Sequence, residues 1–246
     1  MIPLLTAQDM RDLERDAIEG WGVPSLVLQE HAALGALALL PAEGPLHVLA
    51  GPGNNGGDAL ALARLARLRG REVEVWVLDG VPAWMGDAAL QARLWEGLGG
   101  TYRVAEHPRA AVAAFGGWVV DGLFGLGAKP PLRGAAAVWA EALADHPRIL
   151  ALDLPSGLDP ASAQVPGPVI KAARTAAFGR LKVCLGLRPA RDLCGEITLV
   201  PIPLREEGPC ALRLLEAPRP RRPAWDTHKG EAGHLAIRAG SRGMAG

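Results

Sequence analysis

Short apolar runs and stretches with helical periodicity alternate along most of this chain. Four apolar runs are typical of buried strands and two weaker ones follow; they lie at 46–50, 72–78, 118–124, 148–154, 174–178 and 196–200. Stretches that repeat apolar residues at helical spacing separate several of them, at 59–68, around 84–98 and at 135–144. Two more helical stretches precede the first strand, from Thr6 to Glu19 and from Ser25 to Pro41. The chain therefore alternates between strands and helices.

This alternation predicts an α/β protein with a mostly parallel central sheet covered by helices on both faces. We expect a Rossmann-like three-layer αβα sandwich, with the two N-terminal helices as additions to it. In open sheets of this kind, ligands bind at the carboxyl ends of the strands, near the point where the strand order reverses. The residues directly after each apolar run are therefore the first candidates for a site.

The pattern changes near residue 204. The segment 205–226 is rich in proline and arginine and has no clear period, which is typical of a linker. A strand-like run and a glycine-rich segment follow in 227–246, where a second domain begins. The sequence thus predicts an α/β domain over 1–204, a linker over 205–226 and the start of another domain over 227–246.

Composition and charge exclude several classes of protein. Acidic and basic residues balance at 26 each, which argues against a dedicated nucleic-acid binder. No apolar run reaches the ~20 residues that a membrane helix needs, and the first residues lack the apolar core of a signal peptide. Three cysteines are too few for a disulfide scaffold. We expect a cytoplasmic protein that binds neither nucleic acid nor membrane.

Three glycine-rich segments follow successive predicted strands, and each places an Asp or Asn where a ligand would bind. They are GPGNNGGD at 51–58, DGLFGLG at 121–127 and DLPSGLD at 153–159. Gly and Asn are ordinary turn residues, so one such segment alone indicates only a turn. Three of them at successive strand ends favour a ligand site.

The first of these segments also has the outline of a nicotinamide-dinucleotide fingerprint. Gly51, Gly53 and Gly56 form G-x-G-x-x-G, and Asp79 lies about twenty residues further on. A conventional dehydrogenase is therefore an alternative, although Asp58 in this turn would repel a pyrophosphate. No G-x-x-x-x-G-K-[ST] is present, which excludes an ordinary P-loop. No histidine pairs with a Ser or Cys at a recognisable spacing, so a hydrolase has no support.

In their order and spacing, the three segments resemble the YjeF N-terminal domain family, as do the earlier stretches TAQDMRDLERDAI and LQEHAA. The resemblance covers about residues 1–204. It implies an isomerase that interconverts the R and S forms of hydrated NADH and NADPH, and a homodimer or higher homo-oligomer. Residues 228–241 resemble the start of an ADP- or ATP-dependent NAD(P)H-hydrate dehydratase domain, as in a bifunctional repair enzyme. ADP or ATP would then serve only that missing domain.

The same resemblance implies roles for particular residues. It assigns acid/base catalysis to Asp153 and one K⁺ per subunit to Asn55, Asp121 and Ser156. It assigns substrate contacts to Asp153 and to two segments, namely Asn54, Asn55, Gly56, Gly57 and Asp58, and Gly125, Leu126, Gly127, Ala128, Lys129, Pro130 and Pro131. The chain departs from the family pattern at Ala59, Leu126 and Arg174. None of these departures falls on an implied ion ligand or on Asp153.

The implied substrate carries a hydroxyl at C6, beside the ring nitrogen, whose lone pair stabilises the cation left when the hydroxyl departs. One carboxylate that switches between acid and base can protonate the leaving hydroxyl and deprotonate the returning water. We expect Asp153 in this role because it follows a buried strand; alternatively, it only caps the turn at 155–157. We expect the backbone N–H groups of Gly56 and Gly57, at a helix N-terminus, to hold the phosphates, with Lys129 and Arg133 nearby.

A hypothesis from another class is a non-catalytic nucleotide-binding or dimerisation module of the same fold. An enzyme needs the residues that the resemblance assigns to the ion and to acid/base catalysis, whereas a non-catalytic module does not. The chain has Asn55, Asp121, Asp153 and Ser156, all four of these positions. This favours an enzyme.

Overall fold

The computed structural model describes residues 2–205 and 212–215. The described part contains ten strands, β1 (Ile2–Leu5), β2 (Leu46–Ala50), β3 (Val73–Val77), β4 (Tyr102–Val104), β5 (Trp118–Gly122), β6 (Ile149–Leu152), β7 (Arg174–Phe178), β8 (Leu181–Lys182), β9 (Glu196–Val200) and β10 (Leu212–Leu214). It also contains seven α-helices, α1 (Ala7–Arg15), α2 (Ser25–Ala38), α3 (Asn54–Leu68), α4 (Gly86–Gly97), α5 (Pro108–Ala113), α6 (Gly134–Ala142) and α7 (Val183–Gly186). A π-helical turn, Asp16–Gly20, continues α1.

Seven parallel strands form the central sheet, in the order β4-β3-β2-β5-β6-β7-β9. The six predicted strands all belong to it. From β2 the chain builds the sheet outward to β4, then returns to place β5 on the other side of β2. The strand order therefore reverses between β2 and β5, and this is the switch point at which doubly wound sheets bind ligands.

Helices cover both faces of this sheet, which confirms the predicted three-layer αβα fold. Residues of α2, α3 and α4 pack on one face and residues of α5 and α6 on the other. Neighbouring residues of one strand pack into the hydrophobic cores on opposite faces of the sheet: Val48 packs with the first group of helices and Leu49 with the second. Every residue of β2 and of β6 is buried, as expected for strands covered on both sides.

The first predicted helix begins with a capping box. Thr6 Oγ1 accepts a hydrogen bond from Asp9 N at 3.1 Å, and Thr6 N donates to Asp9 Oδ2 at 3.1 Å. Met10 and Leu13 anchor α1 in a small core with Leu5 and Leu204.

Within the described residues, no helix is long and apolar enough to cross a bilayer.

A second, three-stranded sheet was not predicted. β1 pairs with β8 in parallel and with β10 in antiparallel orientation. These strands have two to four residues, too few to show a period, and their partners lie far along the chain. β10 lies within the predicted linker, and residues up to Leu214 cluster into one compact unit. The predicted second domain at 227–246 lies outside the described residues, and the boundaries stay predictions.

The segment 54–58 is helical, whereas glycine and asparagine suggested a loop. It forms the first turn of α3, packed backbone to backbone on the strand ends. A Cβ on Gly56 would overlap the carbonyl oxygen of Gly51, and a Cβ on Gly51 would overlap the carbonyl oxygen of Leu123. Close packing at the switch point therefore requires both glycines, so a dinucleotide fingerprint is not needed to explain them.

We expect Gly56→Ala to lower the free energy of unfolding by about 2–3 kcal/mol, because the backbone of Gly51 must move away from the new methyl group. Gly97→Ala is the matched control, since nothing lies within 4 Å of a Cβ at the end of α4. The control should change stability by less than about 1 kcal/mol. Urea unfolding measures both; equal values for the two variants would contradict the packing constraint.

Candidate active site

A cavity of ≈ 480 Å³ lies at the carboxyl ends of β2, β5 and β6, beside the switch point. All three predicted segments contribute to its wall, together with α1 and the end of β7. The lining residues are Arg11, Glu14, Pro52, Gly53, Asn54, Asn55, Asp58, Leu123, Phe124, Gly125, Leu126, Gly127, Ala128, Asp153 and Phe178. The fold thus gathers into one cavity segments that are a hundred residues apart in the sequence.

Asp153 has the one left-handed backbone conformation found among the non-glycine residues that the structure describes, with φ of 67°. Its N–H donates to Ala176 O at 2.8 Å, so the neighbouring strand holds its backbone. Such a conformation costs a non-glycine residue of order 1 kcal/mol or more, and residues of this kind cluster at functional sites. Its carboxylate lines the cavity while the backbone is fixed.

The partner of Asp153 is Lys182, which the sequence analysis missed. This lysine is fully buried, and its ammonium group donates to Asp153 Oδ1 and, at 2.6 Å, to Phe178 O. Lysine is almost never fully buried unless it is paired. One feature of the sequence could have indicated a buried lysine: Lys182 is the single charged residue in the apolar run LKVCLGL, 181–187. A buried ion pair at the wall of a cavity is a candidate for function.

Two more carboxyl groups face the same cavity, Glu14 from α1 and Asp58 from α3. Burial raises the pKa of Glu14 to about 7; the charge of Asp153 also raises this pKa, and Lys182 and Arg11 oppose the shift. Burial likewise raises the pKa of Asp58 well above its usual value, again with a contribution from Asp153. Glu14 was not predicted as a site residue, since an acidic residue on an amphipathic helix is usually only solvated.

Asp121 and Ser156 contact each other directly. Asp121 Oδ1 accepts from Ser156 Oγ at 2.6 Å and Asp121 Oδ2 accepts from Ser156 N at 2.8 Å. Asp121, not Asp153, therefore caps the turn at 155–157. Ser156 Oγ also accepts from Phe124 N at 3.0 Å, which ties this turn to the segment after β5. Burial raises the pKa of Asp121 to about 6, and its hydrogen bonds to Ser156 and Leu123 oppose this shift.

The implied cation can be tested against these contacts. Asp121 is fully buried, and the hydrogen bonds it accepts within the described residues all come from neutral donors. Asn55 is buried too, and its Oδ1 faces Gly125, where a Cβ would lie 3.4 Å away. Carboxylate, hydroxyl and amide oxygens suit a hard cation, so these residues fit K⁺. The described residues hold no group of three or more His, Cys, Asp or Glu that could bind a metal ion.

The other predicted substrate contacts divide into three sets. Asn54, Asn55, Asp58 and residues 125–128 line the cavity. Lys129, Pro130 and Pro131 line a neighbouring cavity of ≈ 320 Å³, which shares Phe124, Gly127 and Ala128 with the first. Gly56 and Gly57 line neither of these two cavities. The N–H of Gly57 donates to Gly53 O at 3.2 Å, so it is not free to hold a phosphate as predicted.

Fold and site together define a doubly wound α/β protein with a cavity of charged groups at its switch point. The family described as YjeF-related protein N-terminus matches residues 25–184. The chain belongs to this family.

Several curated proteins are similar to the chain. The NAD(P)H-hydrate epimerase of Rhodopirellula baltica is 36% identical over 82% of this chain and 84% of its own length. The bifunctional NAD(P)H-hydrate repair enzyme Nnr of Moorella thermoacetica is 32% identical over 99% of this chain, which spans 50% of that enzyme. The crystal structure of yeast ynu0, YNL200c, has a TM-score of 0.64 at 20% identity, over 74% of this chain and 83% of the yeast chain. The likeness to the yeast structure concerns the fold alone.

We expect Lys182→Met to lower the free energy of unfolding by about 3–5 kcal/mol, because it leaves a buried carboxylate without its cation. Adding Asp153→Asn should restore part of this loss, since no unpaired charge remains. The exposed Lys171, changed to Met, is the control and should have little effect. Urea unfolding of the four proteins tests this expectation. A loss below about 1 kcal/mol for Lys182→Met would mean that the pair is not a buried charge interaction.

Proposed function

We propose that this chain interconverts the R and S epimers of hydrated NADH and NADPH, and is thus an isomerase of nicotinamide nucleotide repair. One observation carries the proposal: Asp153, held in a left-handed backbone conformation and paired with buried Lys182, lines the cavity at the switch point. Relatives that share a third of its sequence are named NAD(P)H-hydrate epimerases.

The proposed reaction occurs at C6 of the hydrated nicotinamide ring. The C6–O bond breaks as a proton reaches the departing hydroxyl oxygen, and the lone pair of the ring nitrogen forms a double bond to C6. Water then adds to the other face of C6 and loses a proton, which gives the other epimer. Asp153 is the acid/base group for these transfers, and positioned proton transfer typically contributes roughly 10²–10⁴-fold to the rate.

The two neighbouring cavities support an assignment of the substrate contacts. The hydrated ring would occupy the larger cavity beside Asp153, and the rest of the dinucleotide would pass along residues 125–131 into the smaller one. Lys129 and Arg133 line the smaller cavity and would pair with phosphate. Asn54, Asn55 and Asp58, in the first turn of α3, line the larger cavity next to the positive end of the helix.

Asn55, Asp121 and Ser156 would hold one K⁺ in this proposal. The ion would supply a positive charge that balances the buried carboxylate of Asp121 and supports the segments after β2, β5 and β6. Ser156 itself connects the segments after β5 and β6, because it forms hydrogen bonds with both Asp121 and Phe124.

Two further proposals concern the longer protein and its assembly. Dehydration of the S-hydrate with ADP or ATP would belong to a domain beyond this one, as the bifunctional relative's name suggests. A cytoplasmic homodimer or higher homo-oligomer remains our expectation. The non-catalytic alternative gives no reason for a strained, ion-paired Asp153 at a cavity wall, and it is disfavoured on that ground.

We expect Asp153→Asn to lower kcat by roughly 10²-fold or more, with a much smaller effect on KM, since the amide keeps the shape but cannot exchange a proton. The rate is measured by chiral chromatography of purified R-hydrate, corrected for spontaneous epimerisation. Asp159→Asn, in the same segment but outside the cavity wall, is the control and should keep the wild-type rate. A folded Asp153→Asn protein with a near-wild-type rate would remove Asp153 from the chemistry.

K⁺ should raise the melting temperature relative to Li⁺ at equal ionic strength, because an ion that binds only the folded state stabilises it. At this chain length, each kcal/mol of stabilisation corresponds to about 2–4 °C. Asp121→Asn should abolish the difference between the two salts, and the exposed-residue variant Asp145→Asn should keep it. Identical melting temperatures in KCl and LiCl would argue against the ion.

A further inference from the structure

Glu14 has no part in the proposed reaction so far, yet its carboxyl group is well placed for one. It projects from the second turn of α1 into the same cavity as Asp153. α1 is anchored there by its capping box and by Met10 and Leu13 in the core below. Glu14 is half-buried, and it is one of three carboxyl groups in the cavity wall, with Asp58 and Asp153.

Epimerisation makes different demands on the two faces of the ring. A hydroxyl leaves from one face with a proton, and water arrives on the other face and gives up a proton. A single carboxylate serves both faces only if it moves around the ring. Asp153 is tethered by Lys182 and by Phe178 N, which donates to Oδ1 at 3.3 Å, and its backbone is held by Ala176 O. A carboxylate held in this way transfers protons on only one face of the nicotinamide ring.

The charges around Glu14 favour a single shared proton. Arg11 lies one turn before it on α1, Asp58 faces it from α3, Asp153 from the end of β6 and Lys182 from β8. Three carboxylates and two cations would leave one excess negative charge. Protonation of a carboxyl group removes this excess charge, and burial favours it at Glu14 and at Asp58 by raising the pKa of each.

We propose that Glu14 is the second proton-transfer residue of the epimerase, acting on the face of the ring opposite to that served by Asp153. The inference rests on the proposed epimerase function. In one direction, protonated Glu14 gives its proton to the departing hydroxyl, which leaves as water with the C6–O electron pair. The Asp153 carboxylate then takes a proton from the water that adds to C6. In the other direction the two residues exchange roles, and the solvent resets both protons between turnovers.

This mechanism has a defined pH dependence. Each direction needs one proton on the pair of carboxyl groups, so kcat/KM should depend on pH in the same way for both epimers. Burial and the charge of Asp153 raise the pKa of Glu14 to about 7, so Glu14 is protonated below that pH and loses its proton above it. We therefore expect kcat/KM to fall by about tenfold per pH unit above about pH 7.

The test compares wild type with Glu14→Gln and with Glu19→Gln, an exposed carboxyl group further along the same segment. Epimerisation of purified R- and S-NADPH hydrate is followed by chiral chromatography between pH 5.5 and 9, below the melting temperature of each protein. Glu14→Gln should lower kcat by roughly 10²-fold and lose the decline above pH 7. Glu19→Gln should match wild type. Glu14→Asp, which keeps a carboxyl group, should recover part of the rate and the alkaline decline.

Each failure has its own signature. A wild-type protein that does not epimerise either hydrate overturns the proposed function itself. An active wild type with an equally active Glu14→Gln overturns only the role of Glu14, and Asp153 then serves both faces. A slow Glu14→Gln that keeps the alkaline decline also overturns it and assigns the titration to Asp58. If Glu14→Gln does not fold, a Glu14→Asp protein without the alkaline decline overturns the proposal as well.

Discussion

The contact between the first turn of α3 and the ends of β2 and β5 determines the rest of the site. Gly51 and Gly56 let backbone meet backbone there, with the carbonyl of Leu123 in the same contact. The helix N-terminus consequently lies against the switch point, and Asn54, Asn55 and Asp58 reach the cavity. A side chain at Gly56 would push the helix away from Gly51, and one at Gly51 would push apart the segments that follow β2 and β5.

Buried charged groups are concentrated around the strand ends at this switch point. Asp121 is satisfied by a serine and by backbone N–H groups, whereas Asp153 has a buried lysine as its partner. Neutral donors hold the first carboxylate in the protein interior, and the ion pair holds the second at the cavity wall. Glu14 and Asp58 experience the field of both Asp153 and Lys182. The four carboxyl groups therefore differ in chemistry because their partners differ.

The sequence was sufficient for six of the seven strands of the central sheet, because most of these six are largely buried and appear as apolar runs. β4 was not predicted, since it has only three residues and none of them is buried. The glycine-rich segments after them also marked the edge at which the cavity lies. Lys182 and Glu14 were not predictable in the same way, since their significance depends on which distant residues surround them. The start of α3 was predicted too late, at residue 59, for a related reason: the glycines of 54–58 allow close helix packing, and a turn uses the same residue types.

The pairing of β1 with β8 also bears on how the chain is synthesised. Leu5 lies opposite Lys182 in the small sheet, and β10 covers the far side of β1. Among the described strands β1 is synthesised first, and its neighbours β8 and β10 follow only after more than 170 further residues. Contacts of such long range close a large loop and form slowly. A nascent chain that ends before residue 182 already contains Asp153, but still lacks its ionic partner.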